Sequence, residues 1–346
     1  MMIGICTAIL SAAALYWAQS ILAPVAFALF LIALVWPIQA LFRRVLPGGL
    51  AMLITVLLAM VAVVGLGLVV AWAFGSVAQW VVGNSSQIQL LYLRKLEWLD
   101  AHGIGAAPLV SDLFSSRWLV RVAQEVTSQL HGLVSFTVVT VVFLVLGLME
   151  VSIVDRQLAR MPGRVGPTLR LAAIETGSKL RVYMIVRTVM SVVTGVAVWA
   201  FARLMGLELA AEWGMIAFVL NYIPFIGPLV ATLFPTVFAI LQFESWQTAV
   251  VVFLCLNVIQ SVSGSYIEPL LAGKRLAISP FMVLLSVFLG AFLWGVPGAF
   301  IGVPALIAAL TLCRHFSGAR WVANLLSGQD APAPGDSQPE TQLSPL

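Results

Sequence analysis

The amino-acid sequence predicts an all-α, polytopic membrane protein with about eight membrane segments, two of which are interrupted by glycine and proline. Of the 346 residues, 61% are hydrophobic and only 9% are charged, whereas a soluble domain usually carries about 25% charged residues. The apolar residues form stretches of roughly 18 or more, long enough for a helix to cross the hydrocarbon. Two stretches in the C-terminal half contain Gly- and Pro-rich runs, which predict broken helices or re-entrant hairpins.

Six of the predicted membrane segments are uninterrupted apolar runs. A cleaved signal peptide is the competing interpretation of the first run, but this run lacks a positively charged n-region and an A-x-A cleavage site. We therefore expect a retained helix. The six segments are residues 1–17, 21–41, 49–74, 133–154, 183–205 and 247–262.

Basic residues in the short loops predict the orientation, because Lys and Arg beside a membrane segment resist translocation. Arg43 and Arg44 follow the second segment and have no acidic neighbour, which places this loop and the N-terminus in the cytoplasm. The polar stretch 76–132 then lies outside, and its four basic residues are balanced by four acidic ones. The next loop, 155–182, lies inside and carries six basic residues against two acidic ones.

These features divide the chain into four parts. Residues 1–75 hold three N-terminal membrane helices, and residues 76–132 form an external segment whose apolar residues recur at helical spacing. Residues 133–316 form a C-terminal membrane domain that includes the basic, amphipathic cytoplasmic loop at 155–182. Residues 317–346 end in a stretch rich in Pro, Ser, Gln and Asp, which predicts a disordered cytoplasmic tail.

The first interrupted stretch contains the run NYIPFIGP at residues 221–228. Pro224 and Pro228 each remove a backbone donor, and Gly227 adds flexibility, so the helix should break here. A break at membrane depth persists only where protein or a wet cavity satisfies the freed backbone groups. Paired broken helices therefore indicate a transport pathway, although a simple proline kink is the alternative.

The second interrupted stretch, residues 281–313, contains the run WGVPG. If both stretches crossed the membrane once, Lys274 and Arg275 would lie outside, against the positive-inside tendency. Two re-entrant hairpins would keep both residues inside, and we therefore expect hairpins. The pathway residues predicted from the two runs are Asn221, Tyr222, Pro224, Gly227 and Pro228, then Trp294, Gly295, Pro297 and Gly298.

Three further polar residues are candidates for the pathway. Asn257 and Gln260 lie one turn apart and could share a face with Asn221, or could instead form interhelical hydrogen bonds. Glu268, followed by Pro269, could exchange a proton or attract a cation, or could be a solvated charge at the end of a membrane segment. Arg187 and Arg203 lie near opposite ends of one predicted segment. We expect both to reach water and to have no transport role.

The sequence contains no signal for catalysis. The motifs H-E-x-x-H, G-x-S-x-G and G-x-x-x-x-G-K-[ST] do not occur, so metal-dependent hydrolysis, a serine nucleophile and ATP use lack their usual residues. The three cysteines and three histidines show no ligand spacing. The basic residues do not form one continuous face, so a nucleic-acid partner is not expected. We therefore predict a protein that is not an enzyme and has no cofactor, with the lipid bilayer and a small polar solute or ion as its partners.

Three motifs resemble the autoinducer-2 exporter family of bacterial membrane transporters. They are NYIPFIGPLV at 221–230, YIEPLLAGKRLAISP at 266–280 and FLWGVPGAFIGVP at 292–304. The resemblance implies a homo-oligomeric inner-membrane permease that exports a small polar solute, for example the signalling molecule autoinducer-2. A sodium–proton antiporter of the same family and a non-transporting assembly or regulatory partner are the alternatives.

Overall fold

The computed structural model describes residues 2–90, 116–268, 270 and 278–326, and within these ranges the chain is helical and contains no strand. A π-turn at Ser263–Ile267 extends helix α8, and a 3-10 turn at Ser317–Ala319 precedes α10. The helices are α1 Met2–Trp17, α2 Gln19–Phe42, α3 Gly48–Gly83, α4 Ser116–Arg160, α5 Val165–Leu204, α6 Ala210–Leu220, α7 Ile226–Phe243, α8 Trp246–Val262, α9 Pro280–His315 and α10 Arg320–Leu326.

Seven helical segments in the described ranges are long and apolar enough to cross a membrane. Six of them lie in α2, α3, α4, α5, α7 and α9, and the seventh consists of α8 with its π-turn. Helix α6 is apolar but has only 11 residues. These helices confirm the predicted polytopic membrane protein.

The predicted cytoplasmic loop at 155–182 consists mainly of helix. Helix α4 continues to Arg160 and α5 begins at Val165, so only a short turn separates the two helices. Gly163 in this turn has a φ of 85°, a backbone conformation that residues other than glycine rarely adopt. Helix α5 has 40 residues, about 60 Å at the usual rise per residue, and is therefore about twice as long as the hydrocarbon is thick.

At the C-terminus, helical structure continues further than the sequence predicts. Part of the expected disordered tail at 317–346 forms the 3-10 turn and α10, which ends at Leu326. Residues 327–346 lie outside the described ranges, as do residues 91–115 of the predicted external segment.

The first broken stretch is an antiparallel helical hairpin made of α6 and α7. Its turn lies at residues 221–225, and Phe225 has a φ of 63°. Near the open end, the rings of Trp213 and Phe238 lie 5.2 Å apart although 25 residues separate them. The side chain of Gln242 also accepts from the backbone N–H of Glu208 and donates to the carbonyl of Gly206. The predicted break is confirmed, and the two halves fold back on each other.

Helix α9 is a second antiparallel hairpin, which turns at Trp294 and Gly295. Both residues leave helical backbone angles, and Gly295 has a φ of 62°. A Cβ added to Gly298 would lie 2.0 Å from the carbonyl oxygen of Gly290, and one added to Gly302 would lie 2.4 Å from that of Ser286. In a straight helix, residues 16 apart would be separated by about 24 Å. The close approach therefore requires a hairpin and excludes a single continuous helix with a proline kink.

Helix α5 lies between the two hairpins and packs against both. Its C-terminal part, with Val198 and Ala202, joins a core cluster that includes Trp213 of α6 and Phe238 of α7. Its middle part, with Leu180 and Tyr183, joins a cluster formed with α2 and both halves of α9. The residues on the buried face of α5 are therefore enclosed by both broken elements.

Candidate transport pathway

One face of α5 carries four polar side chains inside the protein. Tyr183, Arg187, Ser191 and Thr194 are spaced four, four and three residues apart, which places them on one side of a helix. Ser191 and Thr194 are 0% exposed, and Arg187 is 9% exposed. We call these four residues the polar stripe.

The polar stripe contains an unusual number of unsatisfied atoms. Among the described residues, no hydrogen-bond partner is found for the Tyr183 hydroxyl, Arg187 Nε, Ser191 Oγ or Thr194 Oγ1. The side-chain amide nitrogen of Asn221, in the turn of the first hairpin, is also buried and has no partner in the described part of the chain. Such groups each cost about 1–3 kcal/mol when they stay unpaired. Several on one face therefore favour a path that holds water or a polar solute.

Arg187 and Glu268 form an ion pair beside the stripe. The guanidinium Nη2 lies 3.0 Å from one carboxylate oxygen of Glu268, and Nη1 donates to the other at 3.2 Å. The guanidinium also lies over the ring of Tyr183, 5.5 Å from its centroid. Arg187 is therefore buried. The prediction from the sequence that this side chain reaches water is wrong. Its four-residue spacing from Tyr183 and Ser191 is the sequence signal that could have placed it on a buried polar face.

The first hairpin brings its turn to α5 and to α9. The hydroxyl of Tyr222 donates to the hydroxyl of Thr188 on α5 at 3.0 Å. The ring of Tyr222 stacks on Phe300 of α9, with centroids 5.6 Å apart. Asn221 and Pro224 are buried in the same turn, whereas Pro228 is partly exposed.

Gly227 allows this turn to close. A Cβ at Gly227 would lie 1.9 Å from the carbonyl oxygen of Leu220, the last residue of α6. No side chain fits in that space. The close approach of the two hairpin arms therefore depends on glycine at this position.

The tip of the second hairpin lies against α1. Trp294 donates from Nε1 to the carbonyl oxygen of Leu15 at 3.1 Å, and Tyr16 stacks on Phe292 at 5.9 Å. Gly298 is buried where the two halves of α9 cross, while Gly295 is exposed and Pro297 partly exposed. Phe300 of this hairpin stacks on Tyr222 of the first break.

The candidates on α8 are placed differently. Asn257 is partly exposed, and its amide nitrogen donates to the carbonyl of Phe253 in its own helix at 2.9 Å. Gln260 is partly exposed as well. Pro269, which follows Glu268, lies outside the described ranges, as do Lys274 and Arg275.

A second polar cluster lies nearer the N-terminus of α5. Glu175 pairs with Lys179 at 2.6 Å and with His315 of α9 at 3.3 Å, and Lys179 donates to the hydroxyl of Thr311 at 3.4 Å. From Glu175 to Thr194, polar side chains thus follow α5 for about 28 Å at the usual helical rise. This length is close to the thickness of the hydrocarbon, about 30 Å. In the described part of the chain, no cluster of three His, Cys, Asp or Glu side chains could hold a metal ion.

Comparison with known proteins places this architecture among membrane transporters. A family model described as "AI-2E family transporter" matches residues 5–318. The chain is 26% identical over 246 residues to a "Putative transport protein" of Borreliella burgdorferi, a match that covers 70% of this chain and 67% of that protein.

Two relatives come from Escherichia coli K12. The chain is 31% identical over 189 residues to the "AI-2 transport protein TqsA", covering 54% of this chain and 53% of that protein. It is 32% identical over 139 residues to the "Putative transport protein YhhT", covering 40% of each chain. The matched regions thus span about half of the first of these relatives and less of the second.

Proposed function

Because the chain belongs to the AI-2E family of transporters, we propose that it moves a small polar solute across the bacterial inner membrane along the polar stripe of α5. Transport is secondary or facilitated, since the sequence holds no nucleotide-binding motif. The observation that carries this proposal is the row of buried polar atoms on α5 that have no partner among the described residues, beside the turn of the first hairpin.

The position of the stripe supports a pathway. Both hairpins pack against α5, and Ile223 in the turn of the first hairpin belongs to the same buried cluster as Tyr183 of the stripe. Two helical arms that can shift against a fixed central helix provide a way to open the stripe alternately to the two sides. A protein without a polar cargo has no reason to keep these groups, because apolar side chains of the same size stabilise a membrane core better.

The unpaired groups also suggest the chemistry of the solute. Three are hydroxyls, which both donate and accept, and the nitrogens of Arg187 and Asn221 donate. A small solute rich in oxygen atoms would satisfy them. One relative is named as an AI-2 transport protein, and we therefore take autoinducer-2 as the first solute to test. A homo-oligomer with cytoplasmic termini remains part of this proposal.

Sodium–proton antiport is the second candidate function. The observation that favours it is the carboxylate of Glu268, which lies beside the stripe and keeps its side chain 29% exposed. An accessible carboxylate can alternate between a proton and a sodium ion. In this case Glu268→Gln abolishes pH-dependent sodium exchange, whereas export of a small polar solute tolerates the same substitution better.

Flux measurements test the proposal directly. The purified protein is reconstituted into proteoliposomes, and the vesicles are loaded with labelled autoinducer-2. Efflux is then followed with and without a proton or sodium gradient. Asn221→Leu replaces a buried unpaired amide with an apolar side chain of the same branching and should reduce efflux at least about ten-fold, the loss of one useful polar contact of about 1.4 kcal/mol.

Thr236→Val is the matched control, because the Thr236 hydroxyl is already paired with the Thr232 carbonyl on α7, 2.8 Å away. Efflux through this variant should equal that of the unmodified protein. Equal efflux through the Asn221 variant would instead reject the assigned pathway. Absence of any protein-dependent flux, for autoinducer-2 and for sodium, would reject transport itself.

A further inference from the structure

The ion pair between Arg187 and Glu268 joins two elements of different rigidity. Arg187 projects from the middle of α5, and the ring of Tyr183 supports its guanidinium. Glu268 directly follows the π-turn, and its backbone N–H donates to the carbonyl of Ser263, five residues earlier. π-Turns are rare and often occur at functional sites. The arginine is therefore the fixed partner of the pair, and the carboxylate is held by the weaker element.

The partner on the more rigid element, Arg187, is also the more buried of the two side chains. The side chain of Arg187 is 11% exposed, whereas that of Glu268 is 29% exposed. The carboxylate thus approaches a buried cation from the more accessible side. If Glu268 withdrew, the guanidinium would remain inside the protein without an anion, which is strongly unfavourable unless another anion replaces the carboxylate.

More hydrogen-bond donors surround the guanidinium of Arg187 than the carboxylate of Glu268 can accept from. Within the described ranges, Arg187 Nε is buried and unpaired, and so are the hydroxyls of Tyr183 and Ser191 on the same face, four residues to either side. A planar guanidinium binds two oxygens of one oxyanion in parallel, and neighbouring hydroxyls add further hydrogen bonds. This chemistry is complementary to a carboxylate or a phosphate group.

We propose that Arg187 binds an oxyanion group of the transported solute, and that Glu268 occupies this site as a tethered substitute in the state described here. This inference rests on the proposed function and adds the chemical class of the solute. The incoming oxyanion takes the two Nη contacts that Glu268 now makes. Glu268 then moves towards water with its π-turn, so that the guanidinium keeps one anionic partner throughout.

A tethered substitute predicts a specific competition. If the pair is closed in about nine molecules of ten, the apparent affinity for an external oxyanion is reduced about ten-fold. Removing the Glu268 carboxylate abolishes this competition. Acetate is a suitable probe, because it reproduces the end of the glutamate side chain and is freely soluble.

The experiment measures binding and does not depend on transport. The purified full-length protein is heated in detergent micelles with increasing sodium acetate, and sodium chloride keeps the ionic strength constant. We expect acetate to stabilise Glu268→Ala with a dissociation constant at least about ten-fold lower than that of the unmodified protein. The double variant Arg187→Gln/Glu268→Ala should lose this response. Arg203→Gln, at an exposed position on the same helix, is the control and should behave as the unmodified protein.

Two results would overturn the inference: acetate stabilising Glu268→Ala no more than chloride does, or the double variant keeping the acetate response. If Glu268→Ala does not fold, Glu268→Gln keeps the side-chain volume and is read in the same way. The binding experiment and the flux experiment can fail independently. If the protein binds acetate through Arg187 but moves no solute in proteoliposomes, the oxyanion site is retained and only the proposal of transport is refuted.

Discussion

Thr194→Val should make the protein more stable and less active. Thr194 is 0% exposed, and its hydroxyl has no partner within the described residues. Valine has nearly the same shape and lacks the polar atom. An unpaired buried hydroxyl costs about 1–3 kcal/mol, so we expect the substitution to raise the free energy of unfolding by up to about this amount. The same change removes a polar contact from the pathway and should slow efflux.

Two measurements on one preparation test this prediction. Reversible unfolding in mixed micelles reports the free energy of unfolding, and efflux from proteoliposomes reports transport. Thr236→Val serves again as control, because it removes a hydroxyl that is already paired on α7. Its stability should fall slightly, while its efflux stays unchanged. A Thr194 variant that is less stable and transports normally would show that the hydroxyl has a structural role, and the reasoning from unpaired atoms would be refuted.

Three other expected outcomes concern the hairpins. Gly227→Ala places a Cβ 1.9 Å from a backbone oxygen and should lower the free energy of unfolding by about 3 kcal/mol or more. Gly65→Ala is the control, because a Cβ there meets open space, and it should be neutral or stabilising. Equal effects of the two substitutions on the free energy of unfolding would contradict the close approach at Gly227. Spin labels at the exposed Leu285 and Ala305 should lie far closer than the roughly 30 Å of a straight helix, and electron paramagnetic resonance distances near 30 Å would refute the hairpin. Trp294→Phe removes the hydrogen bond to α1 and should speed hydrogen exchange there; unchanged exchange would mean that this contact does not hold α1.

Local chemistry explains why the broken helices could be predicted. Proline removes a donor and glycine permits positive φ wherever they occur, so NYIPFIGP and WGVPG mark breaks independently of the rest of the chain. Both breaks lie where they were expected, at Phe225 and at Gly295. The length of an apolar run likewise predicts a membrane helix without knowledge of its neighbours.

The partners across the site could not be predicted in the same way. Arg187 and Glu268 are 81 residues apart in sequence, and their pairing depends on how the π-turn after α8 packs on α5. Arg187 near the end of an apolar run is compatible with a side chain that reaches water. Only its neighbours decide that it points inward. The tail is a similar case, because α10 extends helical structure to Leu326 within a region of expected disorder.

The sequence by itself determined that this protein is a multi-pass helical membrane protein with two broken helices, because hydrophobic length and the backbone restrictions of Gly and Pro act within a few residues. The tertiary structure alone decided that both breaks are closed hairpins around α5, and that the polar face of α5 is buried with unpaired atoms. Burial depends on which surfaces meet, and side chains distant in sequence settle that by packing together.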